Sequence, residues 1–462
     1  MVFSGLSFIF FYLPLVLLCC LILPAKGRNG FLFFANLIFY GWGEPIFLFI
    51  MLASIVINYF FGLLISKYSA KAKALLIIGI VADLSLIFFF KYADFCREAI
   101  SALTGVSFGA PLGLALPIGI SFYTFQAVSY LLDIYRGTVK AERNIVVFGT
   151  YLSFFPQLIA GPIVRYDEMS HALHHPGVTM AQFTAGCRLF IIGLGKKVCI
   201  ANEMGLLWQH LQPLAAAEGI FCAWIGIVAF ALQIYFDFSG YSDMARGLGK
   251  MFGFELPINF NYPYNAKSLQ DFWRRWHMTL TRWFKDYLYI PLGGSRRGII
   301  RTVFNLFVVW SLTGLWHGAN YNFLLWGIYW FAFLVGEKFI WGRFLNKLPK
   351  LVSYLYTTIF VLISWVFFSI TDLGNVIAYL QAMFSLKNGF LSGDSLVYVL
   401  SYAPLLIVAF IASQPWGKRL WEKLSQLKSI SALEICCLGI LFLLSLAALV
   451  NQSYNPFLYF RF

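Results

Sequence analysis

The stretch RTVFNLFVVWSLTGLWHGANYNFLLWGIYWF, residues 301–331, decides the fold of this chain. From Arg301 to Glu337 the only charged or histidine side chain between the two ends is that of His317. The runs on either side of His317 approach the roughly 20 apolar residues that a helix needs to cross a bilayer. The small residues of Gly314–Asn320 predict a break there. The stretch therefore predicts two membrane helices with a histidine at their junction.

The composition of the whole chain agrees with this interpretation. Of its 462 residues, 60% are hydrophobic and 12% are charged, and the mean hydropathy is +0.76. Soluble domains carry about 25% charged residues. The net charge of +14 suggests nucleic acid in a soluble protein, but here the Lys and Arg residues lie in short loops between apolar runs. That arrangement is typical of a multi-pass membrane protein with positive loops inside.

Hydropathy predicts an all-α polytopic protein of roughly 10–13 transmembrane or re-entrant helices. The run 31–43, which GWGEP interrupts, is predicted to be a half-helix. With short loops throughout, the whole of 1–462 is interpreted as one integral membrane domain. The candidate spans are 5–24, 46–66, 74–92, 113–134, 144–162, 181–200, 219–238, 300–317, 321–341, 351–370, 396–413 and 431–450.

Basic loops predict the orientation in the membrane. The segment 66–73 and the segment 267–301 are expected at the cytoplasmic face. The second segment carries Lys267, Arg274, Arg275, Arg282, Lys285, Arg296, Arg297 and Arg301. In the turn PLGGSRRG (291–298), the arginines have two interpretations. They hold the phosphates of a substrate by charge-assisted hydrogen bonds, or they form an ordinary positive-inside loop.

A second histidine, His277, lies in DFWRRWHMTLTRWFKDYLYIPLGG (271–294), where charged and aromatic residues alternate. Helical spacing places Trp273, Trp276, His277 and Leu280 on one face. This pattern predicts a helix that lies in the interface or dips into a protein-lined cavity. The alternative is a snorkelling amphipathic helix with a histidine at headgroup level.

Histidines at membrane depth are costly and usually mark a reactive centre. Desolvation favours the neutral imidazole, which is the form that a general base requires. We therefore predict that His317 deprotonates an acceptor hydroxyl, with His277 or Asn320 orienting the substrate or stabilising the oxyanion. The alternatives are an acyl-histidine intermediate, or a structural His317 bonded to a helix carbonyl. Trp316 and Trp276 are further candidates for substrate positioning.

Three weaker patterns complete the candidates. In YFDFSGYSD (235–243), Asp237 precedes a Gly-Ser turn predicted at the end of a span, where helix capping by a neighbour is favoured over catalysis. Tyr123 and Gln126 share one side of 117–137, which predicts either tunnel lining or helix–helix hydrogen bonding. The histidines of 171–175 stop at a proline in a polar loop, so no metal site is predicted.

Several long blocks resemble the membrane-bound O-acyltransferases, and in particular a bacterial branch that acts in alginate O-acetylation. Beside the His277 block, they are PIGISFYTFQAVSYLLDIYRG (117–137), FFPQLIAGPIVRY (154–166), YFDFSGYSDMARGLG (235–249), LTGLWHGAN (312–320) and the ending FLYFRF (457–462). The blocks are densest over 117–320, the expected catalytic core.

The resemblance implies a ring of helices around a tunnel in the bacterial cytoplasmic (inner) membrane. His317 matches the family's catalytic histidine, and His277 matches a second active-site position where many relatives carry Asn or Asp. It further implies acetyl-CoA as the cytoplasmic donor, with no bound cofactor. The basic residues themselves offer Arg274, Arg275, Arg296 and Arg297 as candidates to hold the phosphates of this donor. The acetyl group is expected to pass outward to a polysaccharide through a periplasmic or extracellular SGNH-type acetyltransferase partner.

Two other functions stay open at this point. The same fold also serves D-alanyl transfer to teichoic acid from a carrier-protein thioester. A transporter of lipid-linked sugar or ions is the alternative from another class, although the chain lacks the internal repeats that many transporters show.

Overall fold

A computed structural model of the chain describes residues 1–107, 109–345, 347–386, 390, 393–424, 430–451 and 457–458. The described residues form helices and loops, with no strand among them, which confirms the predicted all-α class. They divide into two compact units, one of Met1–Phe190 and Tyr241–Ile258 and the other of Ile191–Gly240 and Asn259–Phe462. Of the FLYFRF ending, residues 459–462 lie outside the described part.

The first unit contains the helices of the N-terminal part of the chain. In order these are α1 (Leu13–Ile22), α2 (Ala25–Gly43), α3 (Leu48–Lys67), α4 (Ala72–Ile87), α5 (Ala93–Thr104), α6 (Ile120–Tyr135), α7 (Ile145–Ser153), α8 (Phe155–Leu158) and α9 (Tyr166–His174). Two further helices, α10 (Met180–Gly195) and α12 (Ile220–Met251), have residues in both units.

The second unit contains the remaining helices and both histidine blocks. They are α11 (Asn202–Leu214), α13 (Leu269–Arg275), α14 (Met278–Phe284), α15 (Ile299–His317), α16 (Tyr321–Gly336), α17 (Gly342–Leu345), α18 (Lys350–Ser369), α19 (Leu373–Phe384), α20 (Gly393–Ala412), α21 (Trp416–Leu424) and α22 (Ile430–Asn451).

An aromatic core fixes the short helix α13 in the second unit. Trp330 and Trp365 are fully buried, and the ring of Phe272 stacks on Trp330 with centroids 5.7 Å apart. Trp276, at the end of α13, lies 5.0 Å from Trp365. Rings of this size bury a large apolar area at little conformational cost. The core therefore holds α13 in place up to the residue before His277.

Helices α15 and α16 form a tightly packed hairpin that places His317. A Cβ added at Gly314 would collide with the backbone carbonyl of Phe323, and one at Gly327 would collide with that of Trp310. Small residues that let two backbones approach closely are a common device of membrane helix pairs.

Eight described segments are long and apolar enough to cross a membrane, so this is a multi-pass membrane protein. They are Leu48–Lys67, Ser69–Thr104, Ile220–Met251, Ile299–His317, Tyr321–Leu345, Lys350–Ser369, Gly393–Ala412 and Ala432–Asn451. The two helices around His317 are among them, and the predicted break at Gly318 is confirmed.

Several predicted segments differ from the structure. The candidate spans 5–24, 113–134, 144–162 and 181–200 are not among the eight described long apolar segments. The half-helix expected at 31–43 is part of a 19-residue helix, α2, which begins after Pro24 and includes the polar residues 26–29. The candidate span 144–162 is interrupted at Phe154, which separates α7 from α8. The turn expected at Gly240 does not form, because α12 continues without interruption to Met251.

The packing of Gly240 explains why a glycine stands inside α12. A Cβ there would lie 2.8 Å from the carbonyl oxygen of Gly193 and 3.1 Å from the backbone nitrogen of Lys197. The glycine therefore permits a close approach of two backbones rather than a change of direction. The capping role predicted for the residues around it is wrong for the same reason.

Candidate active site

His317 is the last residue of α15. The helix ends there because Gly318 is extended (φ −172°). The side-chain oxygen of Asn320 then caps α16 by accepting a hydrogen bond from the backbone N–H of Asn322 at 3.4 Å. The side chain of His317 is buried, with 5% exposed. The imidazole of His317 therefore lies in the protein interior at the end of a membrane helix.

Aromatic rings surround the imidazole of His317. Its centroid lies 4.9 Å from Trp316, 5.0 Å from Trp326 and 5.0 Å from Phe368, each in an edge-on arrangement. Trp326 and Phe368 belong to α16 and α18, so three helices contribute to this wall. A lining of this kind keeps water away from the ring and strengthens any polar interaction made there.

His277 lies between α13 and α14, and not on a helix face. Trp276 is extended and His277 has a left-handed backbone (φ 42°). The predicted continuous helix with a shared face is therefore wrong. A left-handed conformation is uncommon outside glycine, although histidine tolerates it better than most residues. The backbone N–H of Met278 holds the bend by donating to the carbonyl of Asn259 at 2.9 Å.

The side-chain oxygen of Asn259 accepts three hydrogen bonds at this bend. The donors are the backbone N–H of Thr279 (3.2 Å), the hydroxyl of Thr279 (3.0 Å) and Nδ1 of His277 (3.1 Å). A backbone N–H is only a donor, so the amide atom that faces it must be the oxygen. Nδ1 of His277 must then carry a proton.

This arrangement defines the chemical state of His277. With the proton on Nδ1, the lone pair of the neutral ring is on Nε2. Burial lowers the pKa of His277 to about 3, because desolvation disfavours the imidazolium. His277 is therefore a neutral hydrogen-bond acceptor at physiological pH.

The two histidines contact the same indole. The centroid of Trp316 lies 6.0 Å from His277 and 4.9 Å from His317. On its other side, His277 meets the ring of Phe238 edge-on at 4.7 Å. The structure thus brings together the two histidines that the sequence singled out, with Trp316 as their common neighbour.

Two other candidates of the second unit serve mainly the packing around this site. Trp276 is buried in the aromatic core. Asp237 forms an ion pair with Lys197 (Oδ1–Nζ 2.5 Å), and its other oxygen accepts the backbone N–H of Leu458 at 2.7 Å. Asp237 precedes Phe238, so this ion pair anchors the residue that contacts His277.

Tyr123 and Gln126 lie on α6 in the first unit. Both side chains are fully buried, and neither the Tyr123 hydroxyl nor the Gln126 amide has a hydrogen-bond partner among the described residues. In the same unit, Nε2 of His174 lies 3.0 Å from a carboxylate oxygen of Glu142. The described part of the chain contains no group of three side chains suited to hold a metal ion.

The predicted phosphate-binding arginines fall into three places. Arg274 lines a cavity between α13 and α15. Arg275 is paired with Asp271 (Nε–Oδ1 3.0 Å). Arg296 and Arg297 are exposed in the turn before α15. Arg275 is thus neutralised by Asp271, whereas Arg296 and Arg297 face solvent.

Sequence reasoning missed Asn259, Thr279 and Glu337. The carboxylate of Glu337 accepts the backbone N–H groups of Leu269 (2.7 Å) and Gln270 (3.0 Å) and so caps α13. The charge of Glu337 in an apolar run was the one signal that pointed to such a role. Asn259 stands in a polar loop, where nothing distinguishes it from its neighbours.

Comparison with known proteins identifies the family to which this chain belongs. Residues 140–381 match the model of the MBOAT, membrane-bound O-acyltransferase family. The chain belongs to this family and is an acyltransferase, as the resemblance predicted. Membership of an enzyme family also favours catalysis over the transporter alternative.

Several relatives align with this chain over its full length. It is 36% identical to a protein of Azotobacter vinelandii described as "Probable alginate O-acetylase AlgI", with 100% of both chains covered. It is 33% identical to the peptidoglycan O-acetyltransferase of Helicobacter pylori, covering 100% of this chain and 98% of that one. A teichoic acid D-alanyltransferase of Bacillus subtilis is more distant, at 27% identity over 55% of this chain and 66% of that one.

Proposed function

We propose that this enzyme takes an acetyl group from acetyl-CoA on the cytoplasmic side and passes it across the bacterial inner membrane for O-acetylation of an extracytoplasmic polysaccharide. The observation that carries the proposal is the pair of buried imidazoles that contact the same indole, Trp316. The full-length similarity to O-acetyltransferases supports acetyl as the acyl group and a polysaccharide as the final acceptor.

His317 is the general base in this proposal. Its imidazole takes the proton of an acceptor hydroxyl, whose oxygen attacks the thioester carbonyl. The tetrahedral intermediate then collapses, the C–S bond breaks, and the imidazolium returns its proton to the leaving thiolate. A positioned base of this kind accelerates a reaction by about 10²–10⁴-fold.

His277 has a different task because its Nδ1–H is committed to Asn259. The lone pair on Nε2 makes it an acceptor that orients the attacking hydroxyl, and a poor stabiliser of an oxyanion. That second role suits Asn320, since its oxygen is used in the helix cap while its NH₂ group is a donor. Trp316 contacts both imidazoles and helps to exclude water from them.

The donor is expected to approach through the basic segment 267–301. Arg296 and Arg297 are exposed and provide positive charge for the phosphates of acetyl-CoA. A periplasmic or extracellular SGNH-type acetyltransferase is the proposed partner, which receives the acetyl group and completes polysaccharide acetylation. D-alanyl transfer from a carrier-protein thioester is the second candidate, and the more distant Bacillus subtilis relative supports it less.

Purified protein with radiolabelled acetyl-CoA tests the proposal. We expect the wild type to cleave the thioester or transfer label, His317→Ala to lose this activity, and the exposed His210→Ala to retain it. Turnover by His317→Ala equal to the wild type contradicts the assignment of the base. Turnover by the wild type with a D-alanyl carrier protein, and none with acetyl-CoA, selects the second candidate.

A further inference from the structure

A cavity of about 420 Å³ lies in the second unit, between the bend of α13–α14 and the hairpin of α15 and α16. Three cationic side chains line it: Arg274 on α13, Lys285 after α14 and Lys338 after α16. All three are solvent-exposed in the structure. None of the cavity-lining residues is acidic. The cavity is therefore positively charged.

The nearby carboxylates do not neutralise these cations. Asp271 is paired with Arg275, Glu337 is buried as the cap of α13, and Asp286 does not line the cavity. Within the described ranges, no ion pair is made by Arg274, Lys285 or Lys338. The Nζ of Lys338 lies 5.5 Å from the centroid of the Phe339 ring, which leaves its charge uncompensated. Three uncompensated cations around one opening favour an anionic ligand.

The remaining wall of the cavity is apolar. Phe284, Leu306, Val309 and Trp310 contribute to it. Leu306 and Val309 belong to α15, which is a candidate membrane span. Lys338 lies in another candidate span, Tyr321–Leu345, two residues after the end of α16. A ligand that satisfies both parts of the cavity has a negatively charged head and a hydrocarbon tail.

We propose that this cavity binds an anionic phospholipid, with its phosphate at Arg274, Lys285 and Lys338 and its acyl chain along Leu306 and Val309. Basic pockets between membrane helices at the cytoplasmic side commonly hold such headgroups. The positive-inside rule predicts segment 267–301 at that side, where the phosphates of the inner leaflet lie. The site is distinct from the histidines, and its lipid assignment does not rest on the proposed acetyl transfer.

Binding of a short-chain phosphatidylglycerol to the full-length purified protein tests the inference, with phosphatidylcholine of the same chain length as the neutral probe. We expect preference for phosphatidylglycerol. The triple variant Arg274→Gln/Lys285→Gln/Lys338→Gln should lose about a hundredfold in affinity, at roughly 1 kcal/mol for each charge. The matched control Lys67→Gln/Lys71→Gln/Lys73→Gln removes the same charge from the junction of α3 and α4 and should bind as the wild type does.

A milder variant guards against misfolding of the triple one. Lys285→Gln alone should lose about fivefold, and Lys285→Arg should restore binding because the charge returns. Equal affinity of wild type and triple variant for phosphatidylglycerol overturns the proposal.

A competition experiment distinguishes a lipid phosphate in this cavity from the phosphate of a soluble ligand. Inorganic phosphate and coenzyme A are each added to protein saturated with phosphatidylglycerol. Retention of the lipid supports the lipid site. Displacement by coenzyme A that depends on the same three cations assigns the cavity to the thioester donor and overturns the lipid assignment.

Discussion

The ring nitrogen Nδ1 of His277 lies 3.1 Å from the side-chain oxygen of Asn259, and this contact decides which nitrogen of His277 holds the proton. The same oxygen accepts both hydrogen bonds of Thr279, so Asn259 controls the backbone bend as well as the imidazole. One amide thus links the conformation of this loop to the chemistry of its histidine.

Asn259→Ala removes the acceptor of all three hydrogen bonds. We expect the transfer rate to fall at least about tenfold, because the Nε2-protonated tautomer of His277 becomes accessible. Leaving buried donors without a partner should also lower the free energy of unfolding by about 1–3 kcal/mol. The matched control is Asn261→Ala in the same loop, whose side chain is exposed. Equal effects of the two substitutions on rate contradict the role of Asn259.

The pKa of His277 predicts a pH dependence of stability. The unfolded chain protonates this residue below about pH 6.5, whereas burial lowers the pKa of the folded form to about 3. The unfolded state binds more protons between these values, so the free energy of unfolding falls as the pH drops from 6.5 toward 3. His277→Gln should therefore lose less thermal stability than the wild type between about pH 7 and pH 5. Thermal unfolding in detergent measures this, and the exposed His210→Gln should behave as the wild type.

Glu337→Ala should destabilise the start of α13. The carboxylate accepts two backbone N–H groups at the positive end of a helix, and its loss leaves them buried without an acceptor. We expect Glu337→Ala to lower the free energy of unfolding by about 1–3 kcal/mol. Glu337→Gln should lower it by less, because the amide oxygen still accepts a hydrogen bond. Glu422→Ala, at an exposed position of α21, serves as the control. Comparable melting temperatures for the two alanine variants would show that the cap contributes nothing.

The ion pair of Asp237 and Lys197 is buried, so breaking it from one side is costly. Asp237→Asn and Lys197→Met should each destabilise the protein by about 3–5 kcal/mol, because each leaves one buried charge uncompensated. The double variant Lys197→Met/Asp237→Leu should recover most of the loss. Disruption of the exposed pair Lys418–Glu422 should cost under about 1 kcal/mol. A double-mutant cycle measured by thermal unfolding gives the coupling energy between Asp237 and Lys197. If the stability losses of the two single variants simply add in the double variant, the ion pair contributes no such coupling.

Gly314→Ala tests whether the hairpin of α15 and α16 places His317. The added methyl group meets the carbonyl of Phe323, so the helices must separate and the transfer rate should fall. In α22, Gly439 has no atom within 4 Å of its added Cβ. Gly439→Ala should leave the rate unchanged and stabilise its helix by up to about 1 kcal/mol. Wild-type transfer by both variants argues against the close packing at Gly314.

Hydropathy predicted the parts of the fold that depend on length and apolarity. The two spans around His317 were found because a helix in lipid needs an uninterrupted apolar run, and His317 stood out because nothing else in that run is charged. Gly240 misled the prediction, since a glycine in a sequence marks a turn and a close contact equally well. Only the position of Gly193 distinguishes the two.

The partners of His277 were beyond the reach of sequence patterns. Asn259 lies 18 positions before it, and neither residue has a periodic relation to the other. The bend itself opposes the helical spacing of Trp273, Trp276 and Leu280, because contacts from the 259–261 loop override the local preference. The pairing of Arg275 with Asp271 was likewise hidden, since a basic segment shows its charge but not its pairing.

The left-handed backbone at position 277 also restricts which substitutions report on chemistry. Asn, Asp and Gly adopt this conformation readily, so they alter the side chain while the loop keeps its path. Val, Ile or Thr force the loop to rearrange, and their effects mix geometry with catalysis. In saturation mutagenesis at residue 277, we expect the activity of each variant to follow first the tolerance of the new residue for a left-handed backbone, and only then its charge.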